Sequence, residues 1–375
     1  MYSDYDTMWA MLRAAHSPSD FSLRRTLFAD GLISLASLVG GVNRAFERLD
    51  QVLYPEATQT ALGSPLFIVA APRSGTTFLH RMLSLDEQFT TFKLYETFFP
   101  TVTGHKLTQR FANANGRLGH LLGSLRSRVD GSSFGAWEGI HDTGLGQDEE
   151  DEAIWALAFA TPAIWLVLPY PEKFEHLRFI DRLPEEKKEA LASYYRACVQ
   201  KHLYTHPHKT LLGKNVLLPG RFEIVSRALP DSRFVHVVRH PYEAIPSTLS
   251  LFTIPWQWHS PRVRLDGAEA RAMAKLMLDY YRLLHEKSIE DGAQARFHSV
   301  RYDDLLAEPE ASVEQIYRRL GISFSESTQE KLRKYCARER SYQSHHHYSL
   351  EQFGLSKEFV YEELKDVFQY YGFER

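Results

Sequence analysis

The chain has 375 residues, with 44 lysines and arginines against 47 aspartates and glutamates, and a formal net charge of −3. Such a balance excludes a protein whose main business is holding nucleic acid through overall charge, though a local basic pocket remains open to it. Its two cysteines, Cys198 and Cys336, are too few and too far apart for a disulfide framework or a zinc set. They read as packing residues in a reducing compartment, and the expected location is cytoplasmic; the count alone leaves one bridge open.

The first residues, Met1 to Asp6, are acidic and lack the basic-then-apolar layout of a secretory leader. From Phe21 to Val52, leucines and other apolar residues recur at three- and four-residue intervals, which predicts helix. Pro55 and the Gly63-Ser64-Pro65 breaker close this region. We therefore expect a helical N-terminal extension over residues 1–58 and the main domain over 59–375. Continuous apolar runs at 66–70 and 233–238, with shorter ones at 209–213 and 297–302, predict buried parallel strands. Helical patterns at 78–85, 185–202, 221–228, 268–285 and 312–320 separate them. Strands alternating with helices predict an α/β fold, a central parallel sheet flanked on both faces.

Residues 153–170 form the longest uncharged stretch and reach the lower edge of a membrane span. Thr161-Pro162 interrupts the stretch, and the acidic run 148–152 sits against it without a basic flank. No membrane span is expected. Buried structure, or the apolar wall of a cleft, is the reading here.

The most informative segment runs Ala70-Ala71-Pro72-Arg73-Ser74-Gly75-Thr76-Thr77-Phe78-Leu79. It joins a strand to a helix, where free amides converge on an anion. Gly75 permits close backbone approach; Ser74, Thr76 and Thr77 add hydroxyls, and Arg73 a fixed cationic fork. Set against the triphosphate signature G-x-x-x-x-G-K-[ST], Ala70 replaces the first glycine and Thr76 the lysine. The cradle is kept, and the lysine that ATP sites need is absent. This combination resembles the sulfotransferases that use 3′-phosphoadenosine 5′-phosphosulfate, in which P-[RK]-[ST]-G-[ST]-[TS] after a strand binds the 5′-phosphosulfate.

The resemblance, to the bacterial branch in particular, extends to residues 233–247. There Arg239 ends a strand and Ser247 stands eight residues on, the spacing with which the family binds the 3′-phosphate. Two departures stand out. His240 follows the arginine where a better helix cap is usual, and Pro246 lies inside the expected helix, predicting a kink near Ser247. Arg301-Tyr302-Asp303-Asp304-Leu305 and residues 347–355 add weaker likeness. The resemblance implies the P-loop-like sulfotransferase fold, transfer of a sulfuryl group to an acceptor hydroxyl, and no required metal.

Sulfuryl transfer needs a base for the acceptor and cations around the moving group. Glu96, one excursion past the phosphate turn, is the expected base, in the place where several branches of the family put a glutamate. Partial burial would raise its basicity. Other branches use a histidine two residues after a lysine; here Lys214-Asn215-Val216 keeps the lysine and puts Val216 in the histidine's place. Lys214 and Arg73 are expected to neutralise the leaving phosphate. His141 is a reserve base. The His345-His346-His347 run reads as a loop near Arg338 and Arg340 more than as a metal tract, and the acidic run 148–152 as a helix start. The acceptor is a small or lipid-like alcohol, with residues 155–165 as one wall of its cleft. Two rivals stand beside this reading: a kinase with a degenerate phosphate loop, and a non-catalytic nucleotide-binding relative.

Overall fold

A computed structural model describes residues 2–114, 150–290, 296–339 and 348–375. Two helices, α1 (Tyr5–Ala15) and α2 (Leu23–Leu53), precede the first strand, β1 (Leu66–Val69). After it come α3 (Thr76–Leu83), β2 (Phe89–Thr90), α4 (Leu94–Phe98), α5 (Val102–Ala114) and α6 (Glu152–Leu157). The long α7 (Glu185–Thr205) leads into β3 (Thr210–Lys214), α8 (Phe222–Ala228) and β4 (Arg233–Val238). Then follow α9 (Pro241–His259), α10 (Ala268–Glu290), β5 (Phe297–Arg301), α11 (Tyr302–Ala307), α12 (Pro309–Arg319) and α13 (Glu326–Glu339). Two short helices, α14 (Lys357–Glu363) and α15 (Lys365–Tyr371), complete the described chain.

Among the described residues the strands form one parallel sheet of order β2-β3-β1-β4-β5. The four strands expected from the sequence are present, with β1 at the centre. Period-two alternation splits their side chains between two faces. Phe67 and Val69 join Leu211, Phe234 and Phe297 on one face, under the aromatic layer built by α6 to α10. Leu66, Ile68, Leu212, Val235 and Val237 face Leu79, Met82, Val313 and Ile316 of α3 and α12 on the other. Both faces are covered, which is why β1 reads as an unbroken apolar run. Gly213 lets β3 pass close to β1: a Cβ there would lie 2.5 Å from the Phe67 ring.

Met11 and Ala14 of α1 and Ala29 and Ile33 of α2 share the core on the Phe67 face, so packing runs unbroken across residue 58. By length and composition α2 is long and apolar enough to cross a bilayer; a third of its apolar window is buried, and Leu27, Leu35 and Leu38 of its outer side are exposed. The uncharged stretch 153–170 is instead broken into α6 and a 3₁₀ turn at Pro162–Leu166. Trp155 and Trp165 are each 1% exposed, so these two rings are core, as the buried alternative expected. Burying rings of this size contributes about 1.5–3 kcal/mol each. Cys198 and Cys336 are both free and buried, in different layers.

Candidate active site

The turn after β1 is a left-handed nest. Arg73 has φ 65° and Gly75 φ 84°, while Ser74 between them is buried. Alternation of this kind turns successive amides to one side, and the first turn of α3 adds amides that have no carbonyl behind them to bond. Only glycine fits at position 75. A Cβ there would lie 2.2 Å from the Tyr302 ring, in a backbone region that L side chains rarely adopt. Ser74 Oγ donates to the Ala71 carbonyl at 2.7 Å, inside the turn. Thr77 and Arg73 are half-buried.

The second motif buttresses the first. Arg73 Nε donates to Ser247 Oγ at 3.2 Å, Arg239 Nη1 donates to the Arg73 carbonyl at 3.0 Å, and Thr248 Oγ1 donates to that of Pro72 at 3.2 Å. Arg73, Arg239 and Ser247 are thereby assembled at one place. The Arg239 guanidinium lies 4.9 Å from the Tyr302 ring centre and pairs with Glu243 at 2.8 Å. Tyr281 Oη holds the Arg239 carbonyl at 2.8 Å. His240, a weak cap on statistics, caps α9 after all: its Nδ1 accepts from the Tyr242 amide at 3.2 Å. Burial keeps the ring below its usual pKa, so the lone pair is available, and Nε2 donates to the Glu374 carbonyl at 3.0 Å. Pro246 lies within α9 one residue before Ser247, and α9 continues through it to His259.

Lys214 ends β3 next to the nest. Its Nζ donates to Thr77 Oγ1 at 3.3 Å and lies 3.4 Å from Glu150 Oε1. The acidic run does start a helix, with Asp151 as the cap position of α6. Its last three carboxylates also do separate work. Glu150 meets Lys214; Asp151 accepts from Tyr195 Oη and Asn215 Nδ2; Glu152 pairs with Arg221, and accepts from Asn215 Nδ2 at 2.9 Å. Asn215, one residue beyond the lysine, thus locks the acidic segment against the end of β3. Sequence reasoning passed over Glu150 and Asn215. The available signal was three adjacent acids before an apolar helix, each needing a partner once buried.

Asp151 is fully enclosed, and burial pushes its carboxyl up to about 6, against the pull of Arg221 and its hydrogen bonds. A folded-state value above the unfolded one means the native state holds a proton that the unfolded state releases. The contribution of Asp151 to stability therefore falls as pH rises from about 4 to about 6 and is level above. Asp181, also raised to about 6 by burial, contributes the same sign, while buried His105, His236 and His298, with lowered values, contribute the opposite one. Asp151→Asn should remove the Asp151 share, making the slope of stability between pH 4 and 6 more positive than in the unaltered protein; urea midpoints from pH 4 to 8 measure the difference. An unchanged slope would show that Asp151 ionises freely in the folded protein.

Glu96 lies elsewhere in this neighbourhood. It is 1% exposed, and Oε2 accepts from the Lys93 amide at 2.8 Å, capping α4. The same oxygen is 3.3 Å from His202 Nδ1, and Oε1 is 3.7 Å from His206 Nε2, both rings being on α7 or at its end. Burial alone would raise its pKa; His202, His105 and the Lys93 amide outweigh that and hold it at about 2. The raised basicity expected of a buried carboxylate is not what these surroundings produce. His141, Arg340 and the run His345–His347 lie outside the described residues.

A parallel sheet carrying an anion nest at its central strand, with an arginine–serine pair and a lysine around it, places the chain among the phosphate-cradling α/β proteins. A family model described as the sulfotransferase family matches residues 65–326, and the chain belongs to that family. It is a sulfotransferase, an enzyme that transfers a sulfuryl group to an acceptor. Over 318 residues it is 28% identical to the omega-hydroxy-beta-dihydromenaquinone-9 sulfotransferase Stf3 of Mycobacterium bovis, covering 83% of this chain and 76% of that protein. The fold matches crystal structures of sulfotransferase STF9 from Mycobacterium avium and STF1 from Mycobacterium tuberculosis. For STF9 the TM-score is 0.75, with 17% identity over 100% of this chain and 98% of that one. For STF1 it is 0.70, with 19% identity over 96% and 92%.

Proposed function

We propose that residues 72–77 cradle the 5′-phosphosulfate, that Arg239 and Ser247 take the 3′-phosphate, and that Glu150 takes the acceptor's proton. The observation that carries this reading is the meeting of Lys214 with Thr77 and Glu150 at the mouth of the nest. The acceptor oxygen attacks sulfur, and the bond from sulfur to the 5′-phosphate oxygen breaks with its electron pair passing to that phosphate. Lys214 and Arg73 neutralise the charge that gathers there, and such electrostatic stabilisation usually accelerates a transfer more than the base does. Before donor binds, the Lys214 charge is held by Glu150. The phosphosulfate competes for the same ammonium and leaves the carboxylate free to receive the proton. The products are a sulfate ester and adenosine 3′,5′-bisphosphate, and these steps call for no metal ion.

Glu96 is the second reading for the base, favoured by its place in the chain and disfavoured by its low basicity and its histidine neighbours. A lipid-like alcohol is the proposed acceptor, supported by the name of the 28% identical relative. A cytoplasmic setting agrees with two free, buried thiols.

Calorimetry should show the chain binding adenosine 3′,5′-bisphosphate in preference to ATP with magnesium. Arg239→Ala should weaken that binding about 30- to 1,000-fold, the cost of about 2–4 kcal/mol for removing one partner of a largely desolvated charge pair. Equal affinity in the variant would displace the 3′-phosphate from Arg239, and preference for ATP would overturn the assignment of donor groups.

A further inference from the structure

A second cluster of chemistry-bearing side chains lies outside the Lys214 group, between α4, α5 and α7. His202 on α7 and His206 at its C-cap are four residues apart and so share one helix face. Glu96 reaches that face from α4. One ligand atom of each, His202 Nδ1, His206 Nε2 and a Glu96 carboxylate oxygen, lie within 4.8 Å of one another. The two imidazole-to-carboxylate separations are 3.3 and 3.7 Å. Ligands about 2.0–2.2 Å from a tetrahedral zinc ion stand about 3.3–3.6 Å from each other, so the separations, one to each carboxylate oxygen, lie at or slightly above that range and close onto an ion with a small movement of the side chains.

The hydrogen bonding points the same way. His202 is fully buried, and its Nε2 is satisfied by Thr90 Oγ1 at 3.1 Å. Its Nδ1, the atom turned toward Glu96, has no hydrogen bond of acceptable direction. In the tautomer in which Nε2 donates to Thr90, Nδ1 presents a lone pair, as a metal-binding imidazole oriented by an outer partner does. His105, on α5, stands beside the group with its ring centre 6.1 Å from that of His202. Its Nδ1 bonds Thr205 Oγ1 at 3.3 Å, and its Nε2 is likewise buried without a partner. His206 is 30% exposed on its side chain and gives an ion a way in.

We propose that Glu96, His202 and His206 form a binding site for a divalent ion of the zinc class. Two imidazoles with one carboxylate suit zinc or cobalt and are poor ligands for magnesium or calcium, which take oxygen. The ion ties α4 to α7 and, through Thr90, to the edge strand β2. It takes no part in sulfuryl transfer, and because ligation occupies the Glu96 carboxylate the proposal rests on the reading in which Glu150 is the base.

The test uses the full chain, dialysed against chelator and titrated with cobalt(II) and zinc(II) salts alone. One equivalent of cobalt should bind with the visible absorption of a tetrahedral ion, zinc should displace it, and zinc should raise the thermal midpoint. His206→Ala, at the exposed ligand, should keep the fold and weaken binding at least about 100-fold, since outer partners alone cost about 10- to 100-fold. Replacing His345, His346 and His347 by alanine should leave the affinity unchanged. No stoichiometric uptake, or uptake indifferent to His206→Ala, would overturn the proposal. Loss of uptake in the triple variant would move the ion to the histidine run and overturn it equally.

Discussion

Replacing Glu150 with glutamine should lower turnover about 10²- to 10⁴-fold at saturating donor, the usual worth of a positioned base. Affinity for adenosine 3′,5′-bisphosphate should hold or tighten, because the amide no longer competes with phosphate for Lys214. Glutamine keeps the size of the side chain and can still hydrogen-bond the ammonium, so the fold is spared. Glu96→Gln should change turnover only severalfold, because that carboxylate faces α7 and is held far from basicity. Initial rates with donor saturating, together with bisphosphate calorimetry on both variants, decide the matter. A large loss in Glu96→Gln beside a small one in Glu150→Gln would return the base to Glu96.

Arg221→Ala should destabilise the protein by about 3–5 kcal/mol, the range for removing one partner of a buried ion pair. Arg221 is 1% exposed, pairs with Glu152, donates to Asn215 Oδ1 at 2.9 Å, and lies 4.5 Å from the Trp155 ring centre. Its removal strands Glu152 and takes from Asp151 its main attractive charge. The falling contribution of Asp151 should therefore extend to higher pH. Urea midpoints should show this loss, and Arg221→Ala with Glu152→Gln should recover part of it, since the two residues act as one unit. A loss under about 1 kcal/mol would mean that water replaces the guanidinium and that the network is not sealed.

The strands that carry the site were legible because each is buried on both faces, and an apolar run of that kind needs no partner in view to be recognised. β2 was not: two residues, Phe89 and Thr90, have no periodicity to read. The phosphate nest and the Arg239–Ser247 pair were legible as local spacings on either side of a strand end. Glu150 was hidden because a run of five acids looks like a solvated helix start, and only the fold brings Lys214 to it from another strand. The surroundings of Glu96 were hidden for the same reason. Its expected role came from its position after the loop, whereas its basicity is set by His105 and His202, neither of which any local pattern joins to it. The i,i+4 spacing of His202 and His206 was the one readable trace of that cluster.

The cap on α9 has a consequence for how the enzyme is made. The imidazole of His240 closes the start of the helix that bears Ser247, and it is itself held by the carbonyl of Glu374. Arg301, next to the tyrosine that covers Gly75, is likewise held by the carbonyl of Tyr371. The turn at residues 72–77 therefore cannot reach its final form until Tyr371 and Glu374 have left the ribosome and folded back against it. The turn itself is synthesised far earlier, and until then it waits open, so the growing chain assembles this part of its fold late although it makes it early.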